Sequence, residues 1–307
     1  MVVLAQALSE DPFRFVAHPA VWLLVAFLIG AYVYMVRVVG PHAVEPGEPV
    51  VTRRQIWCFV AAITILWLSS DWPIHDLGEG YLYSVHMFQH MALSYFMPPL
   101  ALLATPAWLL RALVGTGRGY GVLRWFTRPV VAAVLFNLAV MVSHIPGVVN
   151  TSVDSSSPLV HYAVHVMVVT TSLLMWMPVC GPLPELRIGP GAQMIYLFAQ
   201  SIVPSIPAGW LAFSEGIVYH AYDQPVRVWG LSGAADQQIA GAIMKTGGTI
   251  FLWTVIIVLW VRNFASVYRK DQAAAFERQR RPLTYADVER EFSATRAPDE
   301  PTRPVNG

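Results

Sequence analysis

The chain has 307 residues, of which 55% are hydrophobic and only 13% charged, with a mean hydropathy of +0.50. A soluble domain carries about twice that charged fraction, and this much apolar surface excludes an ordinary aqueous fold with one core. The net charge of +1, without a basic arm or an aromatic-basic ribbon, excludes nucleic acid as the natural partner.

The stretch before Pro19 carries Glu10 and Asp11 but no basic start and no long apolar run, so no cleaved signal peptide is expected. Seven apolar segments follow, each closed by Pro, Gly or charge. The first covers about Pro19–Val39 and the second Gln55–Ser70. The third begins near Tyr81 and stays apolar to Leu113, interrupted by Pro98, Pro99 and Pro106. One span needs only about 20 residues, so this run predicts a kink, or a span followed by a short interfacial helix. The fourth covers Pro129–Val149, the fifth Pro158–Val179, and the sixth Ala192–Phe213, which Pro204 and Pro207 should bend. The seventh covers Asp236–Phe264. Membrane strands would alternate polar and apolar residues; these runs do not. The fold class is therefore all-α, a polytopic membrane bundle of about seven helices.

Orientation follows from Lys and Arg in the connections. Arg37, Arg53 and Arg54 follow the first segment, Arg111, Arg118, Arg124 and Arg128 the third, and Arg187 the fifth. With the tail from Arg262 onward they make 17, against only Arg14 and Arg227 in the opposite connections. This places the N-terminus outside and the C-terminus in the cytoplasm, which seven spans satisfy. Residues 1–264 form the expected transmembrane domain. Residues 265–307 form a charged, mostly disordered cytoplasmic tail, with a short helix near Tyr285–Phe292 suggested by the capping spacing of Thr284 and Asp287.

Eight of the nine histidines fall on the outer side of this topology; only His42 faces the cytoplasm. His86/His90 and His161/His165 are i,i+4 pairs, which project from one helix face about 6 Å apart. His144 closes the fourth segment at similar depth, while His18, His75 and His220 lie in outer connections. A lone membrane histidine is usually a hydrogen bond between helices, but two such pairs at matching depth point to a metal or haem site. Met97 shares a face with His86, and Met141 and Asn137 share one with His144. Thioethers beside imidazoles favour Cu(I), although methionines in apolar helices are mostly packing. Lys245, well inside the seventh segment, should face the bundle interior or snorkel outward, and Gly241, Gly247 and Gly248 would permit close packing there. Cys58 and Cys180 have no CxxC or CxxxC partner, so no disulfide framework is expected.

HMFQHMALSYFMPPLALLATPAWLLRAL, the SHIPG stretch at Ser143–Gly147, HYAVHVMVVTTSLLMWMPVCGP, and DQQIAGAIM at Asp236–Met244 resemble the bacterial CtaG family of cytochrome c oxidase assembly factors. The likeness runs from about Pro19 to Phe264, with Lys245 as a departure after the IM pair. It implies a seven-helix protein of the bacterial plasma membrane, not an enzyme, that meets cytochrome c oxidase subunits and membrane lipid and delivers or holds copper. By motif it implies His86, His90, His144, His161, His165 and Asp236 as the metal positions. Two other readings stay open: a haem-binding redox protein using one histidine from each pair, and a copper transporter. Helix halves nearly free of ionisable residues on the cytoplasmic side count against a transport path. A zinc hydrolase with Asp236 as base is weaker still.

Overall fold

Each run that the sequence predicts to be helical is helical in the computed structural model, which describes residues 11–153, 158–280 and 284–295; no strand occurs among them. Helix α1 (Pro19–Tyr34) starts with proline at its first position, where the missing N–H costs no bond. It buries none of its residues and is apolar all round, as a helix facing lipid should be. Helix α2 (Arg53–Ser70) opens on a capping box in which Thr52 Oγ1 accepts from the Gln55 amide at 3.3 Å. The Gln55 side chain accepts in return from the Thr52 amide at 2.8 Å. After a short break come α3 (Ile74–Gly80) and α4 (Tyr83–Met91). A π-helical turn (Ala92–Phe96) joins α4 to α5 (Met97–Ala104), and α6 (Ala107–Val114) follows.

The remaining helices are α7 (Arg118–Phe126), α8 (Pro129–Ser143), α9 (Pro146–Val153) and α10 (Pro158–Cys180). They continue with α11 (Pro190–Gln200), α12 (Ser205–Ala212), α13 (Gly233–Ala242), α14 (Gly248–Arg280) and α15 (Tyr285–Thr295). Among the described residues, four stretches are long and apolar enough to cross a membrane: Pro19–Ala43, Leu159–Cys180, Pro190–Ala212 and Gly233–Glu277. Three bent pairs bring the number to seven if each is one span: α2 with α3 at 42°, the Tyr83–Ala104 stretch with α6 at 94°, and α7 with α8 at 66°. The long third run thus breaks at Thr105–Pro106, as its prolines predict. Pro204 sits at the break between α11 and α12.

Contacts divide the chain into a unit Met1–Leu259 and a unit Trp260–Gly307. The core of the first brings Tyr95, Phe136, Met175, Trp176, Leu197 and Leu252 together, which welds α8, α10, α11 and the start of α14 to the π turn after α4. The π turn leaves the Ser94 carbonyl available, and the Trp176 indole donates to it at 3.2 Å. Gly241 of α13 lies so near α12 that a Cβ there would sit 2.6 Å from the Ala208 oxygen, so glycine sets that contact. In the second unit, α14 continues through the Ala273–Ala275 run to Arg280, beyond the Phe264 boundary where the sequence predicts a mostly disordered tail. Alanines and long polar side chains are good helix formers, which physically accounts for the extension. The cap of α15 matches its spacing: Thr284 Oγ1 donates to Asp287 at 2.6 Å. Residues 281–283 and 296–307 of that tail lie outside the described residues.

Candidate functional site

Three helices each present an i,i+4 pair to a common point. Helix α3 offers His75 and Glu79, α4 offers His86 and His90, and α10 offers His161 and His165. Two local features bring α3 back onto α4. The Leu82 amide donates to the Leu77 carbonyl at 2.8 Å, closing the turn between them. Gly78 then lies against α4, where a Cβ would come within 3.1 Å of the His86 nitrogen, so only glycine allows the approach without displacement.

Glu79 occupies the centre. Its Oε1 lies 2.9 Å from His86 Nδ1 and 3.7 Å from His165 Nε2, and its Oε2 lies 3.2 Å from His161 Nδ1. The rings are mutually packed: His86–His90 centroids are 4.4 Å apart, His161–His165 4.5 Å, and His90–His165 5.0 Å. His75 approaches His161 at 5.6 Å, and one donor atom each from His75, Glu79 and His161 lie within 4.8 Å of one another. Gln89 Nε2, 3.3 Å from His75 Nδ1, orients that ring. His18 stacks edge-on against His75 at 4.9 Å and pairs with Asp76 at 2.9 Å. That hydrogen bond with Asp76 raises the pKa of His18 above the ordinary histidine value.

Among the described residues, every ion pair of Glu79 is with a histidine, and its side chain is only 17% exposed. A buried carboxylate needs a compensating positive charge. Here that charge can come from a proton shared with an imidazole or from a cation held by the carboxylate and neighbouring ring nitrogens. Imidazole and carboxylate are good donors to a divalent transition ion such as Cu(II) or Zn(II).

Four of the six residues proposed as metal positions from sequence therefore converge: His86, His90, His161 and His165. His144, the C-cap of α8, has no ring contact with them. Its Nδ1 lies 2.6 Å from the Val140 carbonyl and 3.1 Å from Ser143 Oγ. It shares with His90 a cavity of about 40 Å³.

Asp236 has a different place from the one the sequence predicts. Its carboxylate accepts from the Tyr83 amide at 2.6 Å, the Ser84 amide at 3.1 Å and Ser84 Oγ at 2.5 Å. Leu82, at the N-cap of α4, supplies no side-chain cap, so Asp236 on α13 caps that helix from outside. Both oxygens are engaged there, in holding the N-terminus of α4. The next residue, Gln237, accepts from the Val218 amide at 2.8 Å and donates to the Tyr219 carbonyl at 3.1 Å. Tyr219 and Tyr222 in turn donate to the carbonyls of His144 and Gly78, at 2.9 and 3.0 Å. The Asp236–Gln237 pair thus braces the backbone around the imidazoles.

Met97 packs with Ala62 and Leu93, and Met141 is 37% exposed, so neither thioether stands with the clustered histidines. Asn137 instead donates to Gln200 at 2.8 Å. Lys245 is exposed and donates to Ser205 Oγ at 2.7 Å. The sequence reading missed Glu79 and His75 as site residues because HDLGEG has no apolar run and reads as a connection. The available signal was spacing: His75 and Glu79 repeat the i,i+4 interval of the two histidine pairs.

A family model described as cytochrome c oxidase caa3 assembly factor (Caa3_CtaG) matches residues 30–266, which include all of these residues except His18. No curated protein and no solved structure matches the chain.

Proposed function

The chain belongs to the cytochrome c oxidase caa3 assembly factor family, and from that premise we propose that it holds copper for the oxidase at the Glu79 cluster and passes it on without catalysing a reaction of its own. The single observation that carries this reading is the largely enclosed carboxylate whose ion pairs, among the described residues, are all with imidazoles. Such a group is poised to exchange a proton for a metal ion, because imidazole and carboxylate bind metal in their deprotonated forms. The nitrogen–oxygen donor set supports Cu(II) as the form held there, in place of the Cu(I) that Met97 and Met141 would have favoured.

The distribution of Arg and Lys supports the N-terminus outside, seven crossings of a bacterial plasma membrane, and a cytoplasmic tail after Phe264. On that topology the cluster lies on the outer side, where an oxidase subunit can collect the ion. Membrane lipid covers the apolar outer faces. The test is complementation of cells lacking this protein. Glu79→Gln protein should reach the membrane at the wild-type level while oxidase copper content and activity fall. Full oxidase maturation by that variant would overturn the proposal.

A further inference from the structure

Beside the Glu79 cluster lies a second group of donors with a different character. The cavity of about 40 Å³ between α4, α8, α10 and the π-helical turn Ile243–Gly247 that joins α13 to α14 is lined by His90 and His144 together with Met87, Met91 and Met244. Both imidazoles are more than nine-tenths buried, and among the described residues the Nε2 atom of each has no hydrogen-bond partner. Buried ring nitrogens are ordinarily paired, so two orphans lining one cavity call for an explanation. The backbone contact from His144 Nδ1 to Val140 and the brace from Tyr219 to the His144 carbonyl fix this residue in place. A preset ring with one free nitrogen is how a ligating histidine is held.

We propose that this cavity is a separate site for a soft monovalent cation, Cu(I), ligated by His90 and His144 with thioether support from the methionines. Two imidazoles and nearby thioethers suit Cu(I), whereas among the described residues no carboxylate lines the cavity to favour a harder ion. The volume exceeds the 10–15 Å³ or so that one small occupant needs. The inference goes beyond the Glu79 reading and does not depend on it, because the donors differ in kind and only His90 adjoins both groups.

The experiment is an anaerobic titration of the purified full-length protein with Cu(I) against a chromophoric Cu(I) chelator. Zn(II) binding is measured in parallel to report the Glu79 cluster. Wild-type protein should bind one Cu(I) whose X-ray absorption shows nitrogen and sulfur neighbours. His144→Phe should weaken Cu(I) binding tenfold or more and leave Zn(II) binding unchanged. Met244→Leu conserves volume and should fold even if His144→Phe does not; it should weaken Cu(I) and reduce the sulfur signal. Glu79→Gln should show the reverse pattern, losing Zn(II) and keeping Cu(I), so that either site can fail alone. The proposal is overturned if wild type binds no Cu(I), or if its Cu(I) shows no sulfur neighbour. It is equally overturned if both cavity variants bind Cu(I) as wild type does, which would mean that the cavity holds only solvent.

Discussion

The Glu79 carboxylate meets the His86 ring at 2.9 Å, Oε1 to Nδ1, across a turn that Gly78 helps to keep tight. This contact helps to join α3 to α4 and sets the carboxylate between two i,i+4 histidine pairs. Replacing Gly78 with Ala would push a Cβ to within 3.1 Å of the His86 nitrogen. Overpacking of this kind costs about 1–3 kcal/mol. Gly78→Ala should therefore lower the thermal midpoint in detergent and weaken metal binding together. Gly30→Ala, where nothing lies within 4 Å, should do neither. Equal effects from the two would show that the α3–α4 approach is not tight.

Asp236 should act on the site only through α4. Asp236→Ala leaves the Tyr83 and Ser84 amides without their acceptor, and a buried donor left unpaired costs about 1–3 kcal/mol. Hydrogen exchange at Tyr83 and Ser84 should rise, and metal should still bind, more weakly. Complete loss of metal with unchanged exchange would instead make Asp236 a ligand.

His18 gives the fold a pH-dependent link. Its raised pKa comes first from the hydrogen bond to Asp76, so the protonated ring is favoured in the folded state. A raised folded pKa contributes stability that is fully present below the unfolded value of about 6.5. That contribution fades as pH climbs through the folded pKa. Wild type should accordingly exceed His18→Gln in thermal midpoint by more at pH 5.5 than at pH 9. A difference that grows with pH would contradict this assignment.

The haem reading makes a separate prediction. A tetrapyrrole needs a pocket of several hundred Å³, and the cavity beside His90 has about 40 Å³. Protein purified from haem-replete cells should be colourless in the Soret region. A stoichiometric Soret band abolished by His90→Ala would reinstate haem.

Much of this architecture is legible in the chain itself. Apolar runs of spanning length mark the helices, Pro106 marks the 94° break, and two HxxxH intervals mark the faces that meet. What stays hidden depends on long-range geometry. Glu79 reads as loop acidity until α3 folds back, and nothing local says that Asp236 reaches across to cap the helix bearing His86. Met97 shares a helix face with His86 on paper, but the π turn at Ala92–Phe96 shifts the register between them, and Met97 packs against Ala62. Met87 and Met91 share a face of α4 by their i,i+4 spacing, but Met244, beyond α13, joins them only through packing.

The most direct test of the Glu79 site is the metal stoichiometry of purified wild type and Glu79→Gln after loading with Cu(II) and removal of excess ion. Gln keeps the shape of the side chain and removes its charge, so folding should survive while binding does not. Wild type should retain one ion in a nitrogen–oxygen environment, and Glu79→Gln should bind it at least tenfold more weakly, a loss of about 1.4 kcal/mol or more. Equal retention of Cu(II) by both proteins would contradict the assignment of Glu79 as the centre of the site.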